Sequence, residues 1–242
     1  MILKEYLTKL AYGTLSNLWG NSTIKGEIPE DKIPLVINAI NDGLLRLYTL
    51  FPLKENGVFV ELNEHTTIYE LTTDHIIPDG LTESDLDTSI EDCDKYIWDF
   101  KEHPFTMDII KILSVYTTDG LPIKLNNPTS CISIYTPTYN TLQVSNPVKG
   151  ITLSIAYQAK HPTLFKENLD TQKIELTPIL LGALDAYVAY IIHSNMNTET
   201  AIANAQKYYA LYQEIINETI STDAVSSSFS QNNTKFFERG WC

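Results

Sequence analysis

The chain has 242 residues, 43% of them hydrophobic, and seventeen Lys plus Arg against thirty Asp plus Glu give it a formal charge of −13. A length of this order buries a substantial core. The acid excess repels phosphate backbones and anionic lipid headgroups at long range, which disfavours tight binding to nucleic acid or to a membrane surface.

The first predicted element is a helix over about residues 2–19, with Leu3, Leu7, Leu10, Thr14 and Leu18 on one face and the Gly- and Pro-containing stretch GNSTIKGEIPE as its stop. The same residues, MILKEYLTKLAYGTL, mix charged and polar side chains into the apolar positions, so no signal peptide is expected. A second helix follows from Ile33, Ile37, Ile40, Leu44, Leu47 and Phe51, whose steps of three and four line one stripe before Pro52. From residue 57 the period changes to two. GVFVELNEHTTIYEL reads as a hairpin, MDIIKILSVYTTDGLPIKLN as another turning at Thr117-Thr118-Asp119-Gly120, and TSCISIYTP, NTLQV and GITLSIAYQ as short strands.

Residues 74–105 fit neither period. They hold ten acids and two bases, so this interval carries −8 of the −13. We read it as a solvated excursion, partly ordered by Tyr96, Ile97, Trp98 and Phe100. In TPILLGALDAYVAYIIHSN, Thr177 is placed to cap a third helix with Pro178 at its first position. Leu180, Leu184, Tyr187 and Ile191 form its stripe. A fourth helix starts near Asn197 or Thr198 and carries Ile202, Ala205, Tyr209, Tyr212, Ile216 and Ile220, and the short turn between the two predicts antiparallel packing. The expected fold class is thus α+β, an antiparallel helical bundle built from both chain ends. Its halves are residues 1–56 and 168–221, and it holds a β-rich insertion at 57–167 and carries an extended tail at 222–242.

Sites for chemistry are not expected. Asp85, Asp87, Glu91, Asp92 and Asp94 suggest a calcium loop, yet counting from Asp85 the sixth and twelfth positions hold Ile90 and Tyr96 rather than the Gly and Glu that such a loop requires. The five histidines are scattered, and Cys93, Cys131 and Cys242 have neither disulfide nor zinc spacing, which points to a reducing compartment. No G-x-S-x-G elbow, G-x-x-x-x-G-K-[ST] loop or G-x-G-x-x-G turn occurs. We therefore expect no enzyme, no catalytic residue, no metal and no cofactor. Of the fourteen tyrosines, Tyr187, Tyr209 and Tyr212 fall on apolar stripes, whereas Tyr190 and Tyr208 lie off them and are candidates for a subunit interface.

The last segment is the most informative. A polar run from about Thr222 to Thr234, spanning up to roughly 40 Å if extended, precedes NTKFFERGWC. Phe229, Phe236, Phe237 and Trp241 would each contribute on the order of 2 kcal/mol if buried. Arg239 is a residue type enriched at interface hot spots, and Gly240 permits a close backbone approach. Such a cluster beyond a tether implies a receiver on another subunit, the alternative being a fold-back onto the chain's own helices.

Taken in order, INAINDGLLRLYTLF, PFTMDIIKILSVY, ITLSIAYQAKHP, IELTPILLGALDAYVAY and the terminal NTKFFERGW resemble the head-to-tail connector (adaptor) proteins of short-tailed bacteriophages. The resemblance implies a ring, usually of twelve copies, beneath the portal protein. In such rings helical bundles stand side by side around a channel, the tail docks on portal subunits, and the far rim receives the next tail component, a nozzle or tail tube. DNA passes through without specific binding, no membrane is involved, and the protein, made in the host cytoplasm, resides in the virion neck. In isolation a monomer is expected. The alternative from another class is a cytosolic binding module whose acidic loop captures a divalent cation or a basic partner.

Overall fold

The computed structural model describes residues 1–16, 18, 27–77, 95–99, 104–128, 133–196 and 198–225. The chain divides into two compact units, Met1–Leu53 with His161–Cys242, and Lys54–Lys160.

In the second unit, alternation in the sequence becomes two antiparallel sheets. The strands are β1 (Glu55–Glu61), β2 (Ile68–Glu70), β3 (Ile97–Trp98), β4 (Ile109–Tyr116), β5 (Pro122–Ile123), β6 (Ile134–Tyr135), β7 (Thr141–Val144) and β8 (Thr152–Ala159). A five-stranded sheet runs β3-β1-β8-β4-β5 and a three-stranded one β2-β7-β6. Alternate residues of β1 and β8, among them Val58, Val60, Leu153, Ile155 and Tyr157, enter one buried cluster that also takes Tyr69 from β2 and Leu142 from β7. The hairpin expected over residues 57–71 is not formed, since β1 and β2 belong to different sheets. The connection folds on itself instead: the Tyr69 hydroxyl accepts from the Asn63 N–H at 2.9 Å and donates to the Asn63 carbonyl at 2.9 Å, turning β2 away. The partner of β1 is the distant β8, with Glu55 opposite Gln158 and Glu61 opposite Thr152.

The ends of the acidic interval are integral to this unit. The Tyr96 hydroxyl accepts from the Glu70 N–H and donates to its carbonyl, Ile97 is fully buried, and the Trp98 indole donates to Glu61 Oε2 at 3.0 Å. Residues 78–94 and 100–103, with most of its acids and Phe100, lie outside the described residues.

Among the described residues the first unit holds four α-helices: α1 (Leu3–Tyr12), α2 (Ile33–Leu50), α3 (Pro178–Ser194) and α4 (Glu199–Ser221). The expected antiparallel helical bundle from both chain ends is corrected here. Among the described residues the protein is α+β, with four α-helices and two antiparallel sheets that together hold eight strands, and the sheets enclose a buried core of their own. The reason lies in the lengths and contacts of the helices. Sequence periodicity carries the first helix to residue 19, but α1 stops at Tyr12, where the Gly13 N–H closes on the Lys9 carbonyl. At its start α1 is joined to the 168–174 segment through main-chain bonds, from Leu3 N to Gln172 O at 2.9 Å and from Ile174 N to Met1 O at 2.8 Å, with Ile2 bridging Lys173.

The long helix contacts are those of α3. Thr177 is extended and Pro178 opens the helix, where its missing N–H leaves no bond unmade. Against α2 the approach is close enough to require glycine: a Cβ on Gly43 would stand 2.6 Å from Leu184 Cδ1 and 2.9 Å from Tyr187 Cδ1. On the other side α4 begins at Thr198, whose hydroxyl accepts from the Ala201 N–H at 3.3 Å.

Candidate functional site: the tyrosine ladder of the last two helices

Tyrosines at 187 and 190 on α3 and at 208, 209 and 212 on α4 meet in rungs. His193 stacks on Tyr208 with centroids 5.4 Å apart and planes at 20°. Tyr190 meets Tyr209 at 5.0 Å, and Tyr187 meets Tyr212 at 5.3 Å. As the α3 number rises the α4 number falls, which is the signature of an antiparallel pair. The Arg46 guanidinium of α2 lies over the Tyr187 ring at 5.3 Å, a cation–π contact. Burial pushes the Tyr187 and Tyr212 phenols up from their ordinary value, and the Arg46 charge pulls the other way. These two rings therefore stay neutral and serve as packing.

The two interface candidates differ in their surroundings. Tyr208 is half-buried, stacked on His193, and its hydroxyl donates to the Thr14 carbonyl at 3.3 Å, so it ties α4 to the chain after α1. Tyr190 is half-buried at the edge of the ladder, between Tyr187 and Tyr209. Tyr209, expected on the buried stripe, is 39% exposed and accepts from Gln213 Nε2 at 3.1 Å.

The cause is a rotation of α4. Its buried residues are Ala201, Ala205, Tyr212, Ile216 and Thr219. The stripe read from sequence mixed two neighbouring faces, so Ile202 and Ile220, exposed by 52% and 58%, join Tyr209 on an outer line at steps of seven and eleven residues. Three apolar side chains thus lie along one exposed line of α4, beside the aromatic ladder.

At the end of α4 the chain turns through exposed Thr222, Asp223 and Ala224 and buries Val225. The Ala224 N–H donates to the Thr219 carbonyl at 3.3 Å, and Val225 is 1% exposed. The docking candidates Phe229, Phe236, Phe237, Arg239, Gly240 and Trp241 lie outside the described residues, as do the calcium-loop acids Asp85, Asp87, Glu91, Asp92 and Asp94, the three cysteines and His103.

Among the described residues no group of three or more His, Cys, Asp or Glu is placed to hold a metal. Among them, too, no helix is long and apolar enough to cross a membrane. The four described histidines serve local structure. His65 is exposed beside Glu64, and His75 stacks on Tyr96 at 4.6 Å. His161 accepts from the Glu175 N–H at 3.1 Å, and His193 belongs to the ladder. A cavity of about 280 Å³ is lined by Leu53, Ile174, Glu175, Leu176 and Thr177. One carboxylate and one hydroxyl are too few convergent groups to orient a substrate there. No protein-family model matches the chain, and no curated protein matches it in sequence.

Proposed function

We propose that the chain is a structural virion protein, a head-to-tail connector that joins a phage portal to its tail as a ring, with twelve copies as the expected number, and lets DNA pass during packaging and ejection. The observation that carries this reading is the order of segments in the sequence, closing on Phe236-Phe237-Glu238-Arg239-Gly240-Trp241 beyond a polar tether. One feature of the fold and one of the composition support it. The outer line of α4, Ile202, Tyr209 and Ile220, offers apolar area to a neighbour in the unit from which the tail departs. The charge of −13 gives DNA no basic wall to hold it through counterion release.

Each docked tail contributes a modest free energy once the cost of ordering the tether is subtracted, and ring symmetry multiplies the attachment. The packing of Val225 sets where the tail must be cut in a test. Deleting residues 226–242 is expected to leave the melting temperature of the isolated chain unchanged within about 2 °C while abolishing its binding to a portal ring in electron-microscope images of the mixture. A truncated chain that still decorates portal rings, or one that melts far lower because the tail packs on its own helices, overturns the docking role.

A further inference from the structure

The five-stranded sheet is incompletely covered along both edges, at the same end. Strand β3 pairs with β1 only at Phe59 and Val60, and the Glu61 N–H bonds the Tyr96 carbonyl on that side. The Lys54 carbonyl and the Leu62 N–H face β8 instead, so along β1 the odd residues turn their main-chain groups outward. Among the described residues, nothing pairs with the outward N–H and C=O of Glu55 and Gly57. On the opposite edge, β5 pairs with β4 only at Val115 and Tyr116, which leaves the outer side of Ile109–Ser114 without a strand partner among the described residues. Both open stretches flank the same part of β8, residues 156–159.

This end of the sheet is braced. The buried Asp108 carboxylate accepts from Asn56 Nδ2 of β1 at 2.9 Å and from the Tyr157 hydroxyl of β8 at 2.9 Å, with Lys54 Nζ 4.0 Å away. A rigid edge loses little freedom on pairing. The two edges also match in charge. Glu55 and Lys111 both lie opposite Gln158, so they share one row and one face, and both are exposed.

From this geometry we infer that the open edge of β4 pairs with the open edge of β1 in a second copy of the chain, Lys111 meeting the neighbour's Glu55. Because β1 and β4 both run antiparallel to β8, a copy continuing the sheet lays its β1 parallel to β4. The joint is head-to-tail, and such a joint closes into a ring where the rotation between copies closes and otherwise extends as a filament. Self-pairing of either edge in the same register sets Lys111 beside Lys111 or Glu55 beside Glu55, which like charges oppose. The register shifts in β4, between Ile109 and Lys111 and between Ile112 and Ser114, together with the exposed lysine, guard the edge against strands that bring no acid to that row. Closure into a ring beneath a portal rests on the connector reading; the pairing of edges does not.

The test uses the full chain, alone at rising concentration and in the presence of a portal ring, read by analytical ultracentrifugation and electron microscopy. Gly57→Pro removes an outward N–H that the sheet does not use, and a Cβ there meets nothing nearer than Ile155 O at 3.7 Å. It is expected to keep the melting temperature within a few degrees and to weaken assembly at least about tenfold, one outward bond and its close approach being lost. Glu55→Lys and Lys111→Glu are each expected to weaken assembly about three- to tenfold, and the double exchange to restore it. Should Gly57→Pro fail to fold, the exchange decides alone. Assembly insensitive to these changes overturns the edge joint and leaves the connector reading standing. Self-assembly that is sensitive to them, without any binding to a portal ring, upholds the joint and sinks the connector reading. A chain monomeric at every concentration and on the portal ring overturns both.

Discussion

Helices α3 and α4 lie side by side, yet they use their surfaces differently. In α3 nine of seventeen residues are buried, among them Leu180, Ala183, Leu184, Val188 and Ile192, because α2 covers one side and α4 another. In α4 only five of twenty-three are buried, and the apolar Ile202, Tyr209, Leu211 and Ile220 remain outside. A helix packed on two sides is committed to stability. One packed on a single side has a second face available for assembly, and changes to the two helices should separate these roles.

The sharpest division comes from Leu184→Ala. Leu184 is fully buried against the α2 contact at Gly43, and its truncation is expected to cost about 2–5 kcal/mol, a loss measurable by urea unfolding. A smaller effect arises at the seam itself. His193 is 4% exposed and its Nδ1 is buried without a hydrogen-bond partner, so burial lowers its pKa below 6.5 although the C-terminal turn of α3 favours a cation. Below pH 6.5 the unfolded chain takes up a proton that the folded one resists. Stability held at pH 7 is thus lost as the pH falls through 6.5 toward the folded value. His193→Gln should flatten this slope relative to the native chain in unfolding curves between about pH 7 and 5, where carboxylates contribute little. The smallest effect on stability is expected from Ile202→Ser with Ile220→Ser, within about 0.5 kcal/mol in thermal unfolding. If the same double variant assembles as well as the native chain, the outer line of α4 has no part in assembly.

Local structure was legible where one residue type had one reason to be there. The apolar stripe and Pro52 marked α2, which spans Ile33–Leu50; Pro178 marked the start of α3, and the Thr-Thr-Asp-Gly turn marked the β4–β5 hairpin. Pairing over distance was not legible. Alternation says that Val58 and Ile155 each face a core, but many registers satisfy that pattern, and nothing in either segment names the other as partner. The bundle fails for a related reason: Thr14 and Leu18 continue the α1 period although the helix has already ended at Tyr12, since periodicity records which residues turn inward and not by which backbone shape. At the candidate site, residue types identified the tyrosines as a group. Their division into packing and surface depended on a rotation of α4 by about one residue, which an apolar pattern two positions wide does not resolve.

One main-chain bond has a wider reach. The Ala159 N–H donates to the Lys54 carbonyl at 2.9 Å, so the segment that departs from the helical unit at one residue comes home within a hydrogen bond of where it left. Excursions with touching ends are interchangeable parts. The whole stretch can be lengthened, shortened or swapped for another while its host sees the same small gap, since loop closure depends only logarithmically on what lies between.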